Sequence, residues 1–233
     1  MDIKIYDKLA KKYDFATKII SFGIEEVWRW IFVKEIKKFI KNGVLIDVAS
    51  ATGEMAKTLN FKEMYLIEPS EEMNKIALKK LSNGCKIEKF EKKCKILCKD
   101  KKIEIIRATA EEFKIEKKAD LITAFMAIRN FDNIQKGINN LKLHLKNNGY
   151  IAVVEMVKSD FILAKLILWY MNNIVPLIAG ILFGMKKEYK LLGKSIDSLN
   201  ESDIIKNLEG FEIVKQKKLL FIATLIIAKK NER

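Results

Sequence analysis

The residues best suited to chemistry lie in a seven-residue run, Asp47-Val-Ala-Ser-Ala-Thr-Gly53, between the apolar stretch Val44–Val48 and a helical pattern beginning near Glu54. A tight strand-to-helix turn at the carboxyl edge of a parallel sheet is where α/β folds bind nucleotides. Ala49, Ser50, Ala51 and Gly53 are small enough for a ligand to approach the backbone. Glu68 ends the next apolar run, 68 − 47 = 21 positions after Asp47. A carboxylate there can accept hydrogen bonds from both ribose hydroxyls. A pyrophosphate favours a G-x-G-x-x-G loop, but Ala49 and Ala51 hold the first two glycine places, and Asp47 and Glu54 bracket the turn with negative charge. Those charges repel a pyrophosphate and suit a cofactor carrying a sulfonium and an ammonium. The pattern therefore predicts S-adenosylmethionine over NAD, bound by Asp47, Ala49, Ser50, Gly53 and Glu68.

Scarce residues narrow the chemistry. His144 is the single histidine, so a His-rich metal site and any two-histidine mechanism are excluded. With prolines only at 69 and 176, the Pro-containing loops of amino-methylating and cytosine-methylating nucleic-acid enzymes are missing. Cys85, Cys94 and Cys98 are too few for a closed disulfide framework, and an odd number of thiols fits a reducing cytoplasm. They are expected as surface or lightly buried thiols, with no metal site. The N-terminus is charged from its second residue and has no apolar run of the signal-peptide kind. The net charge of +14 is partly concentrated in Lys86–Lys102, which reads as a solvated insertion, with attraction to an anionic membrane surface as the next reading.

The elements that must position the loop can be read from periodicity. Val44–Ser50, Met64–Glu68, Ile103–Thr109, Leu121–Met126 and Gly149–Val157 are short apolar runs of the buried-strand type. Between them Glu54–Asn60, Glu71–Leu81 and Asn133–Leu145 repeat apolar residues at three and four. Strands alternating with helices predict a parallel sheet covered on both faces. Phe211–Lys215 and Phe221–Ala228 are nearly adjacent and predict an antiparallel hairpin. The expectation is an α/β, Rossmann-like class I methyltransferase fold: a mostly parallel seven-stranded sheet ending in that hairpin. It divides into an N-terminal helical cap (1–42), a cofactor-binding core (43–157), a helical lid inserted after the fifth strand (158–200), and a C-terminal helix and hairpin (201–233) within a single domain, 1–233. Residues 161–185 hold 19 apolar positions out of 25. A membrane span there would put parts of one sheet on opposite sides of a bilayer, so the segment reads as a pair of lid helices broken near Asn172–Pro176. Their inner face, with Trp169 and Leu166, would line a groove for an apolar tail. Thr109-Ala110, at the end of the third run, is placed for the adenine. Phe125 and the residues through Arg129-Asn130, at the end of the fourth, are placed under a transferring methyl.

Tyr13-Asp14, Ser21-Phe22-Gly23 and Trp28, then Asp47–Gly53, Ile128-Arg129-Asn130 and Leu145-Lys-Asn-Asn-Gly-Tyr-Ile-Ala-Val-Val-Glu155 together resemble the C-methyltransferases of ubiquinone and menaquinone biosynthesis. The likeness runs from about Tyr6 to Ala228 and includes Tyr189-Lys-Leu-Leu-Gly-Lys-Ser-Ile196. It departs from the family at Ala16-Thr17, at Ala49-Ser50, at Phe125, and at Glu25, where the family carries histidine. The resemblance implies methyl transfer from S-adenosylmethionine to a ring carbon of a polyprenylated hydroquinone, with Thr52, Glu68, Thr109 and Ala110 on the cofactor. Methylating an aromatic carbon requires an ionised ring hydroxyl. Arg129 is expected to supply the fixed cation that favours the phenolate, with Asn130 orienting it; it stays protonated and is a poor base in itself. Tyr13, Asp14 and Tyr189 are expected at the substrate. The expected partner is a lipophilic quinol, not nucleic acid, in a cytoplasmic protein; the reading allows peripheral membrane contact and a homodimer. Two alternatives stay open from the residues: a methyltransferase for another hydrophobic acceptor, and a non-catalytic cofactor-binding or assembly protein.

Overall fold

Periodicity sets most of the elements. The computed structural model describes residues 3–196 and 199–232. Three amphipathic helices open the chain, α1 (Ile3–Leu9), α2 (Tyr13–Ile20) and α3 (Ile24–Ile36), with a 3₁₀ turn, Ala10–Lys12, between the first two. The alternating core follows: β1 (Val44–Val48), α4 (Glu54–Leu59), β2 (Glu63–Ile67), α5 (Glu71–Leu81), β3 (Lys86–Lys89), β4 (Lys93–Leu97), β5 (Lys102–Ile106), β6 (Ala119–Phe125), α6 (Ile134–His144) and β7 (Leu145–Met156). The helices α7 (Ile162–Phe183), α8 (Lys186–Ile196) and α9 (Glu201–Asn207) lead to β8 (Phe211–Leu219) and β9 (Ala223–Lys230).

All the strands join one sheet in the order β3-β4-β5-β2-β1-β6-β7-β9-β8. The run β5-β2-β1-β6-β7 is parallel, and β9 returns antiparallel between β7 and β8. Every residue of β1 is buried, because helices cover both faces. One face packs Leu45, Met64 and Leu66 against Trp28, Phe32 and Ile36 of α3; the other packs Ile46, Ile67 and Ile122 with Ile138 and Leu141 of α6. A third apolar cluster joins Leu9, Ala16 and Ile20 to Met73, Val175, Ala179 and Tyr189. It fastens the N-terminal helices and the α7–α8 lid to each other over the carboxyl edge of the sheet.

Three expectations are corrected. The sheet has nine strands rather than seven, because the Lys-rich insertion forms the hairpin β3–β4 and adds it antiparallel to β5. Its short alternating runs Lys-Ile-Glu-Lys and Lys-Cys-Lys-Ile-Leu carry little signal of their own; they pair because β5 offers an open edge. The lysines that stay exposed there also discourage pairing with another chain. Second, the three thiols are not all free: Cys85 and Cys98, which flank the hairpin, form a disulfide with Cα atoms 4.6 Å apart, and Cys94 remains a thiol. Third, the lid does not break at Asn172–Pro176, since α7 runs through Pro176 for 22 residues. It stops at Gly184, whose φ of 71° allows the Gly184 N–H to reach Gly180 O and the Met185 N–H to reach Ala179 O.

Candidate active site

The carboxyl edge of β1, β2, β5 and β6 opens into a cavity of about 810 Å³ roofed by the N-terminal helices and the lid. Its floor is the Asp47–Gly53 loop. Ala49 and Ala51 take φ of 53° and 46°, the left-handed region that glycine would occupy in a dinucleotide loop, and Gly53 takes 80°. The turn thereby keeps the shape of a phosphate loop with acidic ends. Asp47 accepts from Thr123 Oγ1 at 2.6 Å through one oxygen; its other oxygen, Oδ2, is buried and has no partner among the described residues. Burial pushes the Asp47 carboxyl up to about 7, against the Thr123 hydrogen bond and the Arg29 charge. Ser50 Oγ is likewise buried without a partner. A carboxylate and a hydroxyl buried with unused acceptor capacity, both lining the cavity, fit the ammonium and sulfonium of S-adenosylmethionine.

Glu68 also lines the cavity and is 5% exposed. Its oxygens accept from Ala51 N at 3.0 Å and Ser70 N at 2.8 Å, so it braces the two cofactor loops and keeps lone pairs for a ribose. Burial raises it to about 7, the two backbone hydrogen bonds opposing. Thr109 and Ala110 line the wall beside it, as does Phe125, over whose ring the Arg29 guanidinium sits at 5.5 Å. Gly53 lies in the turn without lining the cavity.

The other end of the cavity is built from side chains distant in sequence. Arg129 stands in the 3₁₀ turn Ile128–Asn130 after β6 and is held by Glu155 of β7, which forms an ion pair with its guanidinium and accepts its N–H at 3.2 Å. Glu155 is therefore the group that fixes Arg129, while Asn130 donates its amide to Met126 O at 3.4 Å. Burial works against the Arg129 charge, but the Glu155 carboxylate paired with it favours the charge, and the guanidinium is held above its usual range and stays protonated. Tyr6, Tyr13 and Tyr189 line the same cavity, and burial holds all three phenols above the usual tyrosine range, Tyr6 and Tyr189 at about 12. Glu25 and Arg29, four apart on α3, face the cavity as an ion pair.

One expected substrate residue, Trp169, sits elsewhere, and another, Asp14, lines the cavity but is engaged. Asp14 accepts from Thr52 Oγ1 at 2.6 Å and pairs with Lys80, so it latches α2 to the cofactor loop. Trp169 is 58% exposed on the outer face of α7 and does not line the cavity, whereas its neighbours Leu166, Ile167 and Tyr170 do. Sequence reasoning assigned no role to Tyr6, Arg29, Lys80 or Glu155. Only the Glu25–Arg29 spacing of four carried a readable signal. His144 is structural: Ile115 N donates to its Nε2 at 3.3 Å, and its ring packs on Phe113.

Strand order, the acidic-ended loop and the carboxylate after β2 define a class I S-adenosylmethionine-dependent methyltransferase. Residues 3–229 match the ubiE/COQ5 methyltransferase family, and the chain belongs to it. It is 28% identical to the "Ubiquinone/menaquinone biosynthesis C-methyltransferase UbiE" of Campylobacter jejuni strain 81-176, over 98% of this chain and 97% of that one. It is 26% identical to the "Demethylmenaquinone methyltransferase" of Thermotoga maritima, over 97% and 94%. Among solved structures it resembles an S-adenosylmethionine-dependent methyltransferase from Clostridium acetobutylicum, with a TM-score of 0.64 and 14% identity over 95% of this chain and 98% of that one.

Proposed function

We propose that this protein methylates a ring carbon of a polyprenylated hydroquinone precursor in quinone biosynthesis. The observation that carries this reading is the two-ended cavity. Its cofactor end is Asp47, Ser50 and Glu68, and its other end runs past the Arg129–tyrosine cluster to apolar side chains that are themselves exposed. Phe15, Phe22, Leu166 and Leu220 line the cavity and yet remain on the surface, Phe22 at 76% and Leu166 at 59%, so they rim its mouth. A head group at the tyrosines would leave a long apolar tail no route except through that rim. The cofactor supplies an electrophilic methyl. The chain's part is to hold the ring in line with it, where positioning alone is worth about 7–11 kcal/mol, and to favour the phenolate. Arg129 contributes a fixed cation, and the three neutral tyrosines are hydroxyl donors for the ring oxygens.

The rim continues into an apolar outer face. Ile162, Leu163, Trp169, Leu177, Ile181 and Leu182 of α7 are exposed beside Phe15, Ile19 and Phe22, with Lys11, Lys12, Lys18, Lys165, Lys186 and Lys187 around them. By length and apolarity α7 could cross a membrane, but β7 and β9 are paired on either side of it in sequence, which keeps both its ends at one sheet. The reading is an interfacial helix lying on an anionic bilayer, so that a tail held in the membrane reaches the cavity. The decisive assay supplies S-adenosylmethionine and demethylmenaquinol in vesicles: a product heavier by one methylene confirms the reading, and unmodified quinol with bound cofactor refutes it.

A further inference from the structure

We propose that Glu25 accepts the hydroxyl proton of the acceptor ring, its carboxylate held by Arg29; this rests on the hydroquinone reading above. Carbon methylation needs a place for that proton, and the other candidates in the cavity are engaged or of the wrong kind. Arg129 is protonated and paired with Glu155. Asp14 and Glu54 both pair with Lys80. Glu68 braces two backbone N–H groups, and Asp47 lies below the cofactor loop. Glu111 accepts from Asn133 N at the cavity wall, Asp132 has a partner of its own, and Glu26 pairs with Lys18 at the surface. Glu25 is different. One of its oxygens receives Arg29 Nη2, and the other takes no hydrogen bond among the described residues.

The pair is not an ordinary solvated helix pair. Its side chains are only 18% and 19% exposed, and both line the cavity. The groups facing Glu25 are Arg29 on its own helix, Asp14 and Tyr13 from α2, Arg129 from the turn after β6, and Tyr189 from α8. From α7, Tyr170 turns its hydroxyl to Ile20 O instead. Burial raises the Glu25 carboxyl above the usual range, against the pull of Arg29 and Arg129, which brings it nearer to a phenol. The tyrosines around it stay neutral and cannot compete for the proton.

The step balances without another reactant. The ring hydroxyl gives its proton to the free oxygen of Glu25, and its electron pair moves into the ring. The ring carbon then bonds the methyl carbon as the methyl–sulfur bond breaks, the pair remaining on sulfur. The ring C–H proton leaves to water, which restores aromaticity as a phenolate, and that phenolate takes back the proton held by Glu25, so one proton is released net for each methyl transferred.

The test compares Glu25→Gln and Glu25→His with the wild type, using short-tailed demethylmenaquinol for turnover and 4-nitro-1-naphthol as a coloured acceptor analogue without cofactor. Glu25→Gln should lower kcat by about 10²–10⁴-fold, the usual worth of general acid–base catalysis. KM and S-adenosylmethionine affinity should stay within about threefold, and the loss should shrink toward alkaline pH. Glu25→His should regain at least tenfold, because histidine titrates near neutrality. In the wild type the phenolate band of the bound naphthol should titrate in two steps, since ring and carboxylate share protons; in Glu25→Gln it should titrate in one. Wild-type turnover in Glu25→Gln, or the same single-step titration in both proteins, overturns the proposal. Should Glu25→Gln lose cofactor binding, Glu25→His alone carries the test: its acid limb must move with the new side chain, and an unmoved limb overturns the proposal. A wild type that never methylates the quinol defeats the hydroquinone reading, while the naphthol titration still judges Glu25.

Discussion

Asp47 shows how one buried group can make cofactor binding depend on pH. Its carboxyl sits at about 7 in the folded chain, raised by burial, and near 3.9 in an unfolded one. Between those values the folded protein holds more protons, so the unliganded protein loses stability as pH rises through that window. A bound cation reverses the preference, since it favours the ionised carboxylate. S-adenosylmethionine affinity should therefore rise with pH and level off near 7, by up to about tenfold per unit, or about 1.4 kcal/mol. Calorimetry at pH 5.5 and 8 checks this. Asp47→Asn should bind weakly at both and show a flatter profile, with Glu68, also near 7, supplying the remaining slope. A wild-type affinity independent of pH would mean that the cation is held elsewhere. That Asp47 and Glu68 line one cavity was legible because their spacing is local to one βαβ unit. Glu155, which holds Arg129, was quoted within a motif yet carried no visible role, because its partner lies 26 positions earlier and meets it only across the β6–β7 pair.

At the scale of elements, α7 has two faces with different duties. Leu166, Ile167 and Tyr170 look into the cavity, whereas Trp169 and Ile181 look out. Replacing Trp169 and Ile181 together by Asp should abolish binding to vesicles rich in phosphatidylglycerol and leave turnover of a tail-less acceptor unchanged. Full vesicle binding by that variant would remove α7 from the membrane face. Dimer dissociation on the same substitution, seen by sedimentation, would assign the face to a second copy. The apolar composition of 161–185 was enough to predict helices, and its place between two strands of one sheet argued against a span. It misplaced the break. Pro176 lacks one donor, but packing of Val175, Pro176 and Ala179 under the cap carries the helix past it, and Gly184, which tolerates the left-handed turn, ends it.

Over the whole molecule, the cap is tied to both cofactor loops by two aspartates seven residues apart. Asp7 accepts from Ser70 Oγ at 2.6 Å and Glu72 N at 3.3 Å, next to the start of α5. Asp14 takes Thr52 in the turn after β1 and Lys80 near the end of α5. Each link is partly solvated and worth on the order of 1 kcal/mol or less. Asp7→Ala with Asp14→Ala should therefore lower the unfolding midpoint by no more than about 4–8 °C. The same pair should speed S-adenosylhomocysteine release several-fold in stopped flow, because the cap covers the cofactor. Unchanged release would make the links purely structural.

Local sequence was enough for the parallel α/β core, the small-residue loop after β1, the carboxylate after β2, the C-terminal hairpin and the identity of the cofactor. Those follow from side-chain periodicity and from charge within short spans, which local physics can read. Tertiary structure alone decided that the Lys-rich insertion pairs onto β5, that Cys85 bonds Cys98, that Asp14 latches a loop, and that Trp169 faces outward. Each depends on which edge or face a distant element presents, and neither composition nor spacing contains that choice. At the far end of the cavity Tyr13, Arg129 and Tyr189 were named beforehand, but their meeting with Tyr6 and Glu25 was not legible. Tyr6, Glu25, Arg129 and Tyr189 come from α1, α3, the turn after β6 and α8, and they meet because three apolar clusters close the cap and lid over one edge of the sheet.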